Sequence, residues 1–214
     1  MKRVLLICLS LVLALVGGSA ACAEDGFYVI PTMKGKYAPV PKTGQTDSYD
    51  VAGSDGDLEK GVAWPTPRFT DNGNGTVTDN LTRLIWMKNA SNVGADGFAT
   101  KTWAEAISAA NGLHTGQYGL SDGSQAGDWR LPNRKELESL VDCAFIDPAL
   151  PNTLGTGQWT GGNPFQGVQT SFYWSSSTSA YFTTYAWVVS FDDGFVNYHD
   201  KSYSGCVWCV RAGP

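Results

Sequence analysis

The chain has 214 residues, 43% hydrophobic, 12% aromatic and 16% charged, which is enough apolar content for one well-buried domain and too little charge for a disordered one. Its 15 Lys and Arg stand against 20 Asp and Glu, a net charge of −5, and no basic run in its body exceeds Arg134-Lys135. No patch neutralises a phosphate backbone, so nucleic acid is excluded as a partner.

Lys2 and Arg3 precede an apolar stretch from Val4 to Val16, too short to span a bilayer, and small residues follow up to Ala21-Cys22-Ala23. This pattern reads as a secretory signal peptide over residues 1–23, cleaved after Ala23 to give a periplasmic or extracellular protein. Lipoprotein anchoring through Cys22 is the lesser alternative, because Ser19 replaces the large aliphatic residue usual three positions earlier. No later segment is long and apolar enough for a transmembrane helix.

Residues 24–61 are rich in Pro, Gly and Asp and read as an extended lead-in that packs along the domain, which occupies 62–214. Within the domain, Arg68-Phe69-Thr70, Thr76 to Asp79 and Leu84 to Met87 read as three short antiparallel strands, the first two joined by the turn Asp71-Asn72-Gly73-Asn74-Gly75. Thr102 and Glu105 form a capping box ahead of apolar residues at helical spacing, which predicts a helix from Trp103 to Asn111. Asn133 and Glu136 repeat that logic and predict a second helix from Arg134 to Cys143. After a long Gly, Asn and Thr loop, Phe172 to Ser176, Tyr185 to Phe191, Phe195 to Tyr198 and Val207 to Arg211 read as strands. The expected class is α+β, with two helices, small antiparallel sheets and long loops.

Three cysteines remain in the mature chain, Cys143, Cys206 and Cys209. In an exported context, close thiols pair. Val207, Trp208 and Val210 read as strand, where residues three apart point to opposite faces, so the expectation is that Cys143 bridges to Cys206 or Cys209 rather than that the last two bridge each other.

Asp71, Asn72, Asn74 and Asp79 supply oxygens for a possible calcium loop, although Gly73 and Gly75 suit a plain hairpin turn and the EF-hand register is missing. No cofactor is otherwise expected. His114 and His199 are the only histidines, and no His-Glu-x-x-His, Gly-x-Ser-x-Gly or phosphate-binding loop occurs, so no enzyme is expected. The aromatic residues after Phe172 are interleaved with Ser, Thr, Asn and Asp, a mixture that suits sugar or protein surfaces. Alternation is expected to bury Tyr185, Trp187, Val189 and Phe191, with Trp174 also in the core. Tyr181, Phe182, Tyr198, His199 and Tyr203 are the candidate ligand-facing positions.

The ordered segments Trp64-Pro65-x-Pro67-Arg68-Phe69-Thr70-Asp71-Asn72-Gly73, Gly75 to Asp79, Leu84-Ile85-Trp86, Asp128-Trp129-Arg130-Leu131-Pro132-Asn133, Tyr173-Trp174-Ser175-Ser176 and Cys209-Val210-Arg211 resemble the DUF1566, or Lcl C-terminal, domain family. The resemblance implies a C-type lectin-like fold and an exported, non-catalytic module that binds a glycan or protein ligand at the cell envelope. It leaves two other functions open: a structural envelope component with a protein partner, and a cysteine-based oxidoreductase related to the formylglycine-generating enzymes, which share the fold. Two departures stand out. Members often carry a first-helix cysteine that would partner the position of Cys209, where this chain has Ala106, Ala109 and Ala110, and many have Asp at the position of Asn74. The calcium-lectin signatures Glu-Pro-Asn and Trp-Asn-Asp do not occur.

Overall fold

In the computed structural model, residues 40–49, 51–91 and 100–213 are described. The expected signal segment, with Cys8 and Cys22, and the start of the lead-in lie outside them. The described elements are α1 (Asp55–Leu58), β1 (Phe69–Asp71), β2 (Thr76–Asp79), β3 (Ile85–Met87), α2 (Trp103–Gly112), α3 (Arg134–Glu138), β4 (Phe172–Thr178), β5 (Tyr185–Ser190), β6 (Val196–Asp200) and β7 (Val210–Arg211). They form a mixed α and β fold with few helices and two small antiparallel sheets, ordered β1-β2-β3-β7 and β4-β5-β6.

The β1–β2 hairpin follows from its turn chemistry. Asp71 Oδ1 accepts the Gly73 N–H (3.0 Å), and Gly75 adopts a positive φ of 84° where a side chain would collide with the Gly119 carbonyl. At the start of α2, the Glu105 carboxylate accepts the Thr102 backbone N–H (2.9 Å) and hydroxyl (2.7 Å). At α3 the exchange is reciprocal: Asn133 Oδ1 takes the Glu136 N–H (2.9 Å) and Glu136 Oε2 takes the Asn133 N–H (2.7 Å).

Helix α3 stops at Glu138 rather than running to Cys143. A continuing helix would send the Cys143 N–H to the Ser139 carbonyl. Instead that N–H donates to Thr43 O (2.9 Å), and Ser139 O receives Arg68 Nη2 (2.8 Å). Tertiary partners for these backbone groups outcompete the last helical turn.

The lead-in contains α1, one helical turn that its Gly- and Asp-rich composition did not signal. Around that turn the chain folds back on itself: Lys42 N–H donates to Val62 O (3.1 Å), Val62 N–H donates to Val40 O (2.7 Å), and Lys42 pairs with Glu59 (2.8 Å). The hook sits in the same compact unit as the rest of residues 36–214, tied down by Trp64 Nε1 donating to Lys42 O (3.0 Å).

Between the two sheets, Trp208 is fully buried and meets Phe165, Trp86, Tyr173 and Phe191 at centroid distances of 4.8 to 5.6 Å. Its indole N–H donates to Met87 O (2.8 Å), so this large ring carries no orphaned donor. The segment holding it stitches the sheets together. Cys206 exchanges backbone hydrogen bonds with β4, and Val210 exchanges them with Arg130 while pairing with Trp86 on β3. Beside this core, Arg68 donates from Nε and Nη2 to both Asp79 oxygens (2.8 and 3.1 Å), with both side chains fully buried. Trp64 and Phe69 face the guanidinium at 4.5 and 4.9 Å.

The expected bridge from Cys143 to Cys206 or Cys209 is absent: all three are free thiols. Their surroundings explain it. Cys143 lies in the exposed turn after α3 that is held to Thr43. Cys206 lies against β4 near Tyr173, and Cys209 is enclosed where its carbonyl accepts the Met87 N–H.

Candidate functional site

The open face of the β4-β5-β6 sheet is set by register. Trp187 on β5 lies directly across from Tyr198 on β6, so both rings project from the same side, and Tyr185 follows two residues away. Alternation was expected to bury Tyr185 and Trp187 with Val189 and Phe191. Only Val189 and Phe191 are buried. Tyr185 and Trp187 are half-buried, and it is Ala186 and Val188 on the opposite side that are enclosed. The opposite side is closed by the strip around Lys101–Trp103, where Trp174 Nε1 donates to Lys101 O (2.8 Å) and Trp103 Nε1 donates to Ser175 O (2.9 Å). Trp174 is buried there, as expected.

Five rings form a continuous ladder on the open side. Tyr181 meets Phe182 (4.4 Å), Phe182 meets Tyr185 (5.5 Å) and Tyr198 (6.0 Å), and Tyr198 meets Tyr185 (5.7 Å) and Trp187 (5.5 Å). Tyr181 is 86% exposed, Phe182 43% and Tyr198 37%, so the ladder is presented rather than packed. Its loop is held firmly. Ser179 N–H donates to Tyr185 O (2.9 Å), Ser179 Oγ accepts the Phe182 N–H (3.2 Å), and Lys201 Nζ ties Thr183 O and Thr178 Oγ1 (both 2.9 Å). Rings fixed in this way lose little rotational freedom when a partner covers them.

At the Trp187 end, the Arg134 guanidinium lies 4.6 Å from the indole centroid. A register shift in β4 between Trp174 and Thr178 marks a bulge, and Ser177 within it accepts the Arg134 N–H (3.1 Å). Together Asn133, Arg134, Lys135, Ser177 and Trp187 line a cleft of about 310 Å³. Among the described residues, neither Arg134 nor Lys135 pairs with a carboxylate. The next arginine does: Arg130 grips Glu136 with two 2.7 Å bonds. Burial opposes ionisation of Glu136, but the Arg130 hydrogen bonds, the Asn133 N–H and the Arg130 charge outweigh it and hold the carboxyl below its ordinary value.

Of the five predicted ligand-facing residues, the structure brings Tyr181, Phe182 and Tyr198 into the ladder. His199 points the other way, stacked on Phe172 at 4.5 Å, with Tyr203 beside it at 6.1 Å. Sequence reasoning missed Tyr185, Trp187 and Arg134.

The four calcium candidates are not gathered into one shell. Asp71 pairs with Lys88 (2.6 Å), Asn72 Nδ2 donates to Thr76 and Thr78, and Asn74 Oδ1 accepts the Thr76 hydroxyl. Asp79 lies at the far end of β2, spent on Arg68. Among the described residues, no group of three or more His, Cys, Asp or Glu side chains is placed to hold a metal ion. Burial raises the Cys206 thiol to about 11 and the Cys209 thiol to about 12. Burial thus disfavours the thiolate, the reactive form, at both positions.

The sequence profile of the Lcl C-terminal domain matches residues 75–211, well over half of the chain. The chain belongs to the Lcl C-terminal domain family. The ring ladder, α3 and the Trp208 core all fall inside the matched part of this Lcl C-terminal domain, whereas the hook of residues 40–62 precedes it. Comparison with curated proteins returns no match. Among the described residues, no helix is long and apolar enough to cross a membrane.

Proposed function

We propose that this Lcl C-terminal domain is an exported, non-catalytic recognition module of the cell envelope, built on a C-type lectin-like scaffold, which binds a glycan or protein ligand through its ring ladder. The observation that carries this reading is the exposed run Tyr181, Phe182, Tyr185, Tyr198 and Trp187, held rigid from behind by Ser179 and Lys201. Contiguous rings on a monomer surface mark an interaction site, and these end at a cleft with Arg134 and Ser177 to orient a polar ligand. The enclosed thiols, whose reactive thiolate form burial disfavours, favour binding over redox chemistry.

A glycan array probed with the mature chain, with and without chelator, tests the reading. Glycan binding that survives the chelator and disappears in Tyr198→Ala supports a direct ring contact. A blank array together with co-purification of one envelope protein assigns the ladder to a protein partner, the structural role, for which the projection of Tyr181 is well suited. Binding to neither class removes the proposal.

A further inference from the structure

A second cavity lies away from the ring ladder, between the hook and the turn after α3. Its volume is about 270 Å³, and its walls include Trp64, Phe145, Asp142 and Thr156, with Gln45 and Glu59 contributed by the hook. Asp142 is 3% exposed. One carboxylate oxygen, Oδ1, accepts the Ala144 N–H (3.0 Å), while Oδ2 takes no hydrogen bond among the described residues. Gly44, at a φ of 92°, passes so close above this carboxylate and the Trp64 ring that any side chain there would collide with both. The hook therefore holds a mostly buried carboxylate against the cavity, with Oδ2 left open to a donor rather than sealed away.

The neighbouring charges are already matched. Lys42, which also lines the cavity, pairs with Glu59 (2.8 Å), and Arg68 binds Asp79 and Ser139 O while its Nη1 has no hydrogen-bond partner among the described residues. The charge left over in the cavity is the single negative charge of Asp142. Burial pushes this carboxyl above its ordinary value, and the Ala144 N–H and the nearby Arg68 charge oppose that rise. A metal ion is poorly served, because one free carboxylate with no second available acid falls short of the several oxygens a hard cation requires. The cavity lies at the small end of ligand sites, and its rings suit methylene groups.

We propose that this pocket binds a small primary alkylamine, with its ammonium group on the free oxygen of Asp142 and its methylenes between Trp64 and Phe145. The assignment is independent of the ring ladder and extends the binding role to a second, chemically different ligand.

Titration calorimetry of the mature chain with 1,5-diaminopentane, using 1,5-pentanediol as the uncharged control, tests it. The diamine is expected to give saturable one-to-one binding and the diol none. Asp142→Asn is expected to weaken diamine binding by about tenfold or more, the usual consequence of losing a charged hydrogen bond. Thr156→Phe, which narrows the cavity without touching Asp142, provides the second variant and is also expected to weaken binding. The Trp64 indole N–H resonance should shift on titration of the wild type. Absence of saturable binding, equal binding of the diol, or unchanged affinity in a folded Asp142→Asn protein overturns the proposal.

Discussion

Two groups of aromatic rings in this domain share almost the same contact geometry and differ in what lies over them. Around Trp208, the rings of Trp86, Phe165, Tyr173 and Phe191 meet largely edge to face and are sealed between two sheets. Around Tyr198, the rings of Phe182, Tyr185 and Trp187 meet at similar distances and remain open on one side. Ring pairing is therefore no guide to role. In the inner group the Trp208 indole donates to a backbone carbonyl, the buried Trp86 indole N–H has no hydrogen-bond partner among the described residues, and the enclosed ring area becomes stability. The outer group keeps its area available for a partner.

Substitutions should separate the two groups sharply. Trp208→Ala empties a fully enclosed site and is expected to cost about 3–5 kcal/mol in urea unfolding, enough to abolish folding of a marginal domain. Asp79→Asn leaves Arg68 buried beside the inner group without its counter-charge and should cost about 3 kcal/mol by the same measurement. Glu136→Gln loosens the grip of Arg130 at the edge of the outer group and should cost about 1 kcal/mol. Because the folded Glu136 carboxyl lies below its ordinary value, its contribution is present above the unfolded value and disappears as pH falls through the folded one. The wild type and the Gln variant should accordingly converge in acid urea titrations. Tyr198→Ala should change stability by no more than about 1 kcal/mol while removing ligand binding, the reverse of Trp208→Ala. The smallest effect is expected from Cys143→Ser, within about 0.5 kcal/mol, because its exposed thiol bridges nothing. Of Cys143, Cys206 and Cys209, thiol titration of the native protein should modify Cys143 first, with Cys206 and Cys209 reacting only after unfolding.

Local chemistry was readable in the sequence wherever it is self-contained. The Asp71–Gly75 turn, the Thr102–Glu105 and Asn133–Glu136 caps and all seven strands follow from neighbouring residues, and the family follows from ordered motifs along the chain. Where distant groups compete, the sequence was silent. Helix α3 ends early because Arg68 and Thr43, remote in the chain, take its backbone partners. The candidate site was half legible for a similar reason. Alternation sorts β5 into two faces but does not say which one the rest of the chain covers: the strip around Lys101–Trp103 closes the Ala186 and Val188 side and leaves Tyr185 and Trp187 open. The thiols show the limit of compartment arguments, since an oxidising location joins only sulfurs that the fold brings together.

The stitching segment from Gly205 to Arg211 also governs the order of assembly. Each sheet has a nucleus formed earlier in the chain, but the edge of one and the strand β4 of the other both await this stretch, as does the cavity that Trp208 fills. Until those residues emerge from the ribosome, the two halves have no common interior and the polypeptide stays open.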